Sequence, residues 1–413
     1  MDSVSLQKKH QKYIMFGILT GIIAGVFLGW YFPRYALKIR FFGDLFLNSL
    51  RMIIIPLIVA SMIMGVARLG DIRKIGKAGG KTIFYYMVTT GIAVLIGIIL
   101  VNIIQPGKGF TTAGMEIPDK IKGKTFSFID VILGFIPPNI FEAMAKGEVL
   151  PLIIVSLVFG GVLTTLGESG KTVISFFDGI NEAVMKMVML IMYFAPIGIF
   201  SLIAAKLASV GGGKEFTMEL MKLGKYSFTV ILGLLIHGGV VLVLILFVAG
   251  KRDPWQYIKN MVEALTTAFS TASSSATLPI TMECVQEKNN VSPKAASMVL
   301  PLGATINMDG TALYESVAAI FIAQAYGYDL TLSHQVIIFF TATLAAVGAA
   351  GIPEAGLVTM VIVLQSVHLP LEGVALILSI DWFLDRCRTT VNVWGDAVGA
   401  AVIDQWEFKE VKI

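Results

Sequence analysis

Between two apolar arms of about a dozen residues each, 336–347 and 357–367, the chain reads Gly348-Ala-Ala-Gly-Ile-Pro-Glu-Ala-Gly356. By helical rise, each arm reaches roughly half of the ~30 Å hydrocarbon core of a bilayer. Backbone this rich in glycine and proline cannot stand in lipid, because each unpaired amide or carbonyl there costs several kcal/mol. The stretch therefore predicts a re-entrant hairpin that enters and leaves on one side. A break of the same kind, Thr271-Ala-Ser-Ser-Ser-Ala-Thr-Leu-Pro279, stands between arms near 258–269 and 278–285, and a third reads Gly303-Ala-Thr-Ile-Asn-Met-Asp-Gly-Thr311. Two short interrupted segments in corresponding positions point to a transporter binding site near the membrane midplane.

The remaining composition also belongs in a membrane. Charged residues make up 15% of the 413 and apolar ones 56%, with a mean hydropathy of +0.80; an ordinary soluble domain is about a quarter charged. Runs close to the ~20 apolar residues that a spanning helix needs recur at 13–32, 45–67, 83–104, 150–166, 184–205 and 228–250, which predicts six spans before the interrupted last third. Lys8, Lys9 and Lys12 precede the first span, and Arg68, Arg73, Lys74, Lys77 and Lys81 lie between the second and third. They put the N-terminus on the cytoplasmic side, against the weaker pull of Arg34, Lys38 and Arg40 in the first outer loop. The first run is too long and continuous for a cleavable signal and is expected to remain as a span. Prolines in Ile136-Pro-Pro-Asn139 and Ala195-Pro-Ile-Gly198 are expected to bend or end helices. A net charge of +4 is too small to suggest a nucleic-acid partner. Cys284 and Cys387 are far apart and the four histidines show no ligand spacing, so neither a disulfide framework nor a zinc site is expected.

Within the apolar run 374–402 lie Asp381, Asp385, Arg388, Thr389, Asn392 and Asp396. At about 100° per residue, all six fall within an arc of roughly 100°, so one stripe of a membrane helix is polar. Each charge at that depth costs about 2.5–3.5 kcal/mol even on the lenient insertion scale. The stripe must line an interior or a water-filled site. A salt-bridge network that only joins helices is the alternative, and it is a costly way to stabilise packing.

Four motifs in order resemble the glutamate transporter family, which includes vertebrate excitatory amino acid transporters and prokaryotic sodium-aspartate symporters. They are the serine-rich run 272–279, Asn307-Met-Asp-Gly-Thr311, Gly348-Ala-Ala-Gly-Ile-Pro353 and Asp385-Arg-Cys-Arg-Thr-Thr-Val-Asn-Val-Trp-Gly-Asp396, and the similarity extends from the first span to about Trp406. The resemblance implies an all-α membrane protein of eight transmembrane helices plus two re-entrant helical hairpins, an elevator-type transporter assembled as a homotrimer. It divides the chain into a scaffold at 1–72 (spans 1 and 2) and 109–218 (spans 4 and 5, with the trimer contacts). The mobile transport domain takes 73–108 (span 3) and 219–413 (spans 6 to 8 and both hairpins, the second acting as outer gate).

A dicarboxylic amino acid presents two carboxylates and one ammonium, so its site needs a fixed cation, an anion and hydrogen-bond donors. Arg388 offers a planar fork for the side-chain carboxylate, with Thr311 as a second donor by resemblance. Asp385 is expected to accept the ammonium, helped by Thr389. Asn392 and the amides around Ser273, Ser274 and Ser275, beside a helix start, are expected to hold the α-carboxylate. The resemblance adds Ile352 and Gly356 to this site.

Sodium takes hard oxygen ligands, which broken helices expose. The resemblance implies about three sodium sites. One uses Asp396 with Gly303, Asn307 and Asn392; another uses Asp309 and Asn307 with Tyr86, Thr89 and Thr90. The third draws on backbone around Thr305, Met308, Ala346, Val347 and Ala349. The residues alone leave open that Tyr86, Thr89 and Thr90 merely pack against another helix.

Glu315 lies one turn past the third break in apolar surroundings, which favour a protonated carboxyl. The resemblance links it and Arg386 to the proton co-transport and potassium counter-transport of vertebrate members; archaeal aspartate symporters carry an arginine near position 272, where this chain has Ala272. The expected function is sodium-driven import of L-glutamate or L-aspartate, with H+ and K+ as further coupling ions. A neutral amino acid carrier is opposed by Arg388, and a C4-dicarboxylate carrier by Asp385. A channel needs no closed dipolar site, and an intramembrane protease lacks a base placed for Ser274, so no enzyme is expected. Ala346, Glu354 and Trp394 depart from the family pattern at the gate, the hairpin tip and beside a sodium site. The long outer insertion of vertebrate members is missing, which points to a prokaryotic plasma membrane.

Overall fold

The computed structural model describes residues 2–67, 76–108, 133, 136–210, 214–349 and 355–408, and among them the regular elements are helices, without a strand. In chain order they are α1 (Asp2–Tyr31), α2 (Pro33–Lys38), α3 (Arg40–Ala67), α4 (Gly76–Ile104), α5 (Ile140–Lys146), α6 (Val149–Thr165) and α7 (Glu168–Val210). Then α8 (Lys214–Ile236) runs through a π-helical turn, His237–Val241, into α9 (Leu242–Val248). The last third holds α10 (Pro254–Thr271), α11 (Ser274–Glu283), α12 (Pro293–Ile306), α13 (Asp309–Ala325), α14 (Leu332–Gly348), α15 (Ala355–Ser366) and α16 (Val374–Ile403).

Among the described residues, four helical stretches are long and apolar enough to cross a membrane: Pro33–Ala67, Lys77–Ile104, Glu168–Ala205 and Leu223–Val248. They contain four of the six expected spans. The other two fall on shorter apolar helices, Phe16–Tyr31 and Val149–Thr165. Arg68, Arg73, Lys74, Glu354 and Ile352 lie outside the described residues, as do the side chains of Lys8, Lys9 and Lys12.

Two packed groups emerge. In one, α1, α3, α6 and α7 lie against each other; in the other, α16 is surrounded by α4 and α8–α13. The pair α14–α15 touches both, meeting α13 on one side and α3 and α6 on the other.

The α1–α7 contact rests on Gly17, Gly21, Gly25 and Gly29, spaced every fourth residue. A Cβ at Gly21 would lie 2.7 Å from the Pro196 carbonyl oxygen, one at Gly25 2.7 Å from that of Phe200, and one at Gly29 2.7 Å from that of Ala204. Small residues let two backbones approach where lipid supplies no hydrophobic drive between helices. Of the two outcomes expected at Pro196, a bend or an end, the helix does not end there: Pro196 lies inside the 43-residue α7, with Gly17 against its ring. The other predicted punctuation does act as a boundary, since the Asn139 side chain accepts from the Phe141 and Glu142 amides and caps α5.

The first two breaks are narrower than the polar runs that predict them. Ala272 takes left-handed backbone (φ 50°) and Ser273 caps α11, so α10 and α11 fold into a hairpin around two residues. Gly303 to Ile306 remain helical, leaving only Asn307 and Met308 between α12 and α13. The tip of the α14–α15 hairpin, 350–354, is outside the described residues. Hydroxyl and indole groups peg α16 in place. Tyr85 and Tyr257 donate to the Gly395 and Ala397 carbonyls at 3.2 and 2.8 Å, and Trp394 Nε1 donates to the Gly238 carbonyl at 2.9 Å.

Candidate functional site

All six members of the α16 stripe are buried, so the polar arc faces protein rather than lipid. Arg388 is fully buried, and its fork is filled by its own helix: Nη1 donates to Asp381 at 2.9 Å and Nη2 to Asp385 at 2.7 Å. The guanidinium carbon lies 3.8 Å from the centre of the Tyr314 ring of α13, close enough for a cation–π contact. On another side, a Cβ at Gly356 would stand 3.1 Å from Arg388 Cζ and Nη2, so only glycine lets α15 close over the guanidinium without displacing it. Expected substrate residues Arg388, Asp385 and Gly356 thus meet in one place. Asp381 and Tyr314 belong there too, although the sequence reading gave neither a role.

A second cluster surrounds the Asn307-Met308 break. Asn307 Nδ2 donates to Asp396 at 2.9 Å, the Gly310 amide donates to Asn392 Oδ1 at 2.8 Å, and Asn392 Nδ2 reaches Thr311 Oγ1 at 3.2 Å and Met308 Sδ at 3.3 Å. From α4, Thr90 donates to Asp309 Oδ1 at 2.6 Å, with Thr89 at 3.4 Å. Tyr86 donates its hydroxyl to the Val299 carbonyl at 2.8 Å, and the Tyr86 hydroxyl oxygen also flanks Gly303, where a Cβ would stand 2.6 Å from it. A Cβ at Gly303 would collide with the Asp396 carboxylate. One at Gly395 would lie 2.9 Å from Asn307 Nδ2 and 3.3 Å from Asp309 Oδ2, so the two side chains converge on one spot of α16. Asn307 Oδ1 is buried and has no hydrogen-bond partner among the described residues. An unpartnered side-chain carbonyl in a cluster that also holds two buried carboxylates and the hydroxyls of Thr89 and Thr90 is a donor set suited to a hard cation.

The third expected set is less concentrated. Met308, Ala346, Val347 and Ala349 are buried and α12 touches α14, while the Thr305 hydroxyl donates to its own helix at Leu302. In the α10–α11 hairpin, the Ser273 hydroxyl accepts from the Ala276 amide at 3.1 Å, Ser274 is buried and Ser275 is exposed. The first-turn amides of Ser274 and Ser275 are donors that a helix cannot satisfy internally, and α11 touches α16. Thr389 is buried on the stripe. Glu315 is fully buried on α13, with Thr359 of α15 as its polar neighbour. Arg386 turns elsewhere, donating to the Trp382 carbonyl at 2.9 Å with its guanidinium over that indole.

Sequence reasoning missed His237. It is wholly buried, and its Nε2 lies 2.9 Å from Asp309 Oδ2. The signal was available, because an ionisable residue inside the apolar run 228–250 is a functional candidate by default.

The model of the sodium:dicarboxylate symporter family matches residues 14–406. The chain is 41% identical to excitatory amino acid transporter 1 of Ambystoma tigrinum, covering 100% of this chain and 86% of that protein. It is 39% identical to excitatory amino acid transporter 4 of Mus musculus, over 96% of this chain and 83% of the relative. A putative sodium-dependent excitatory amino acid transporter of Caenorhabditis elegans, glt-4, is 39% identical over 96% and 90%. This multi-pass helical chain is therefore a membrane transporter rather than an enzyme, and it belongs to the sodium:dicarboxylate symporter family.

Proposed function

We propose that the protein is a secondary active symporter that imports L-glutamate or L-aspartate on the sodium gradient. One observation carries the reading: a wholly buried guanidinium whose fork already grips two carboxylates. A substrate side-chain carboxylate can replace the Asp385 oxygen with little change in the hydrogen bonding of Arg388. Asp385, once released, becomes the anion for the substrate ammonium. Exchanging one carboxylate for another keeps the second arm of the buried Arg388 fork paired while Asp381 holds the first; losing a partner of a buried ion pair is strongly destabilising. A neutral substrate offers no such replacement.

Around that exchange, Thr311, Thr389, Asn392, Ile352 and the Ser273–Ser275 amides complete the substrate site. About three sodium ions bind as cargo: at Asp396 with Gly303, Asn307 and Asn392; at Asp309 with Asn307, Tyr86, Thr89 and Thr90; and at the carbonyls of Thr305, Met308, Ala346, Val347 and Ala349. Glu315 carries a proton inward and, with Arg386, supports potassium return. The group formed by α1, α3, α6 and α7 is the scaffold of a homotrimer, and the group around α16 is the domain that moves. The N-terminus is cytoplasmic. Alignment with the Ambystoma tigrinum relative runs over 472 positions against 413 residues here, so that relative carries insertions that this chain lacks; the prokaryotic plasma membrane proposed here rests on that shortness, while the relatives named above are animal proteins.

Purified protein in liposomes, given radiolabelled L-aspartate with sodium, potassium and pH gradients varied separately, tests the reading. Concentrative uptake that requires inward sodium and quickens with internal potassium is expected. Uptake indifferent to sodium would contradict it.

A further inference from the structure

His237 opens the π-helical turn that joins α8 to α9, and such turns are frequent at functional sites. The widened turn makes two contacts with different neighbours. The His237 ring reaches Asp309 at the start of α13, while the carbonyl of the next residue, Gly238, accepts from Trp394 on α16 at 2.9 Å. Gly238 also sits against Val391, where a Cβ would lie 3.5 Å from a methyl of that side chain. The π turn is thereby held on both sides of the second cluster.

The two oxygens of Asp309 are treated differently. Oδ1 takes the Thr90 hydroxyl at 2.6 Å; Oδ2 takes the His237 ring at 2.9 Å. A carboxylate can only accept, so Nε2 carries the hydrogen, and Nδ1, buried, has no partner among the described residues. With each oxygen held from a different helix, rotation of the carboxylate about its own axis is blocked. Its remaining lone pairs are then fixed relative to the unpartnered Asn307 Oδ1.

We propose that His237 is a positioning residue for the cation site at Asp309: it does not touch the ion but fixes the plane of the carboxylate that does. The arrangement is the one seen when an outer partner orients a ligand, whose loss typically costs about 10–100-fold in affinity. The inference rests on the reading of Asp309 as a sodium ligand.

The test uses purified full-length protein and sodium chloride alone, with choline chloride as the ionic-strength control. It reads the sodium dependence of the melting temperature, which rises as a bound ion stabilises the folded state, and then the sodium dependence of L-aspartate binding. His237→Leu, similar in bulk but without a donor, is expected to raise the half-saturating sodium concentration about 10-fold with the maximal amount of bound L-aspartate unchanged. His237→Gln, which keeps an N–H, is expected to recover most of that shift. Native-like titration of His237→Leu, or equal shifts in the Leu and Gln variants, would overturn the proposal, the second because it marks packing rather than donation. If His237→Leu does not fold, His237→Gln against His237→Ala makes the same comparison. Asp309→Asn separates the two levels: a native-like sodium response there removes the underlying sodium site, whereas a lost response with unaffected His237 variants removes only the role given to His237.

Discussion

The α1–α7 interface and the α13–α16–α15 interface are both built on glycines that admit a neighbour's backbone or side chain, yet they hold opposite contents. Along α1, Gly21, Gly25 and Gly29 meet backbone carbonyls of α7 directly, with the Cβ atoms of Phe200, Ile203 and Leu207 beside them. At the second, Gly310 lets α13 approach the Arg388 backbone, where a Cβ would lie 2.6 Å from its carbonyl oxygen, and Gly356 lets α15 cover the guanidinium. What the second interface encloses is a full set of ionised and amide groups. Close approach in the first fixes two helices; in the second it excludes water from charges and leaves them to be satisfied by protein or by cargo.

Substitutions should separate these two uses of glycine. The largest effect is expected from Asp385→Ala, which removes one partner of a buried ion pair, a loss that typically costs about 3–5 kcal/mol, and removes the proposed ammonium partner. L-aspartate binding to the purified protein should weaken on the order of 100-fold or more, and unchanged affinity would remove Asp385 from the substrate site. Gly356→Ala should be milder. Its methyl lies 3.1 Å from Arg388, tight enough to shift the guanidinium by a few tenths of an ångström, and a loss of roughly 10-fold in affinity is expected, about the 1–3 kcal/mol of overpacking. In the α1–α7 interface, Gly25→Leu should cost about the same in stability, as overpacking. It should lower the melting temperature while leaving the sodium dependence of uptake where it was; a shift in that dependence would mean that the two interfaces are coupled. Lys171→Ala, which removes an exposed i,i+3 pair with Glu168, should change neither, because exposed pairs contribute about 0–1 kcal/mol.

Much of the site was legible because charge in an apolar run has few acceptable places. Asp381, Asp385, Arg388, Asn392 and Asp396 announce their shared face by spacing alone, and the structure buries that face. The breaks were legible in position but not in width, since Gly303 to Ile306 stay helical despite their composition; glycine weakens a helix without ending it when neighbours supply the packing. The four-residue spacing of glycines in α1 could have been read as a contact ridge, though not its partner. The pairing of His237 with Asp309 joins residues far apart in sequence, and no local period encodes it. Asp381 was visible in the stripe, but only the geometry shows that it shares Arg388 with Asp385.

The central claim is that Arg388 selects an acidic side chain, and exchanging its substrate tests this most directly. Liposomes holding native protein or Arg388→Cys are offered radiolabelled L-aspartate, L-glutamate or L-serine under an inward sodium gradient. The native protein is predicted to concentrate an acidic amino acid, and Arg388→Cys to lose that uptake while tolerating serine. Undiminished acidic uptake by Arg388→Cys would contradict the account.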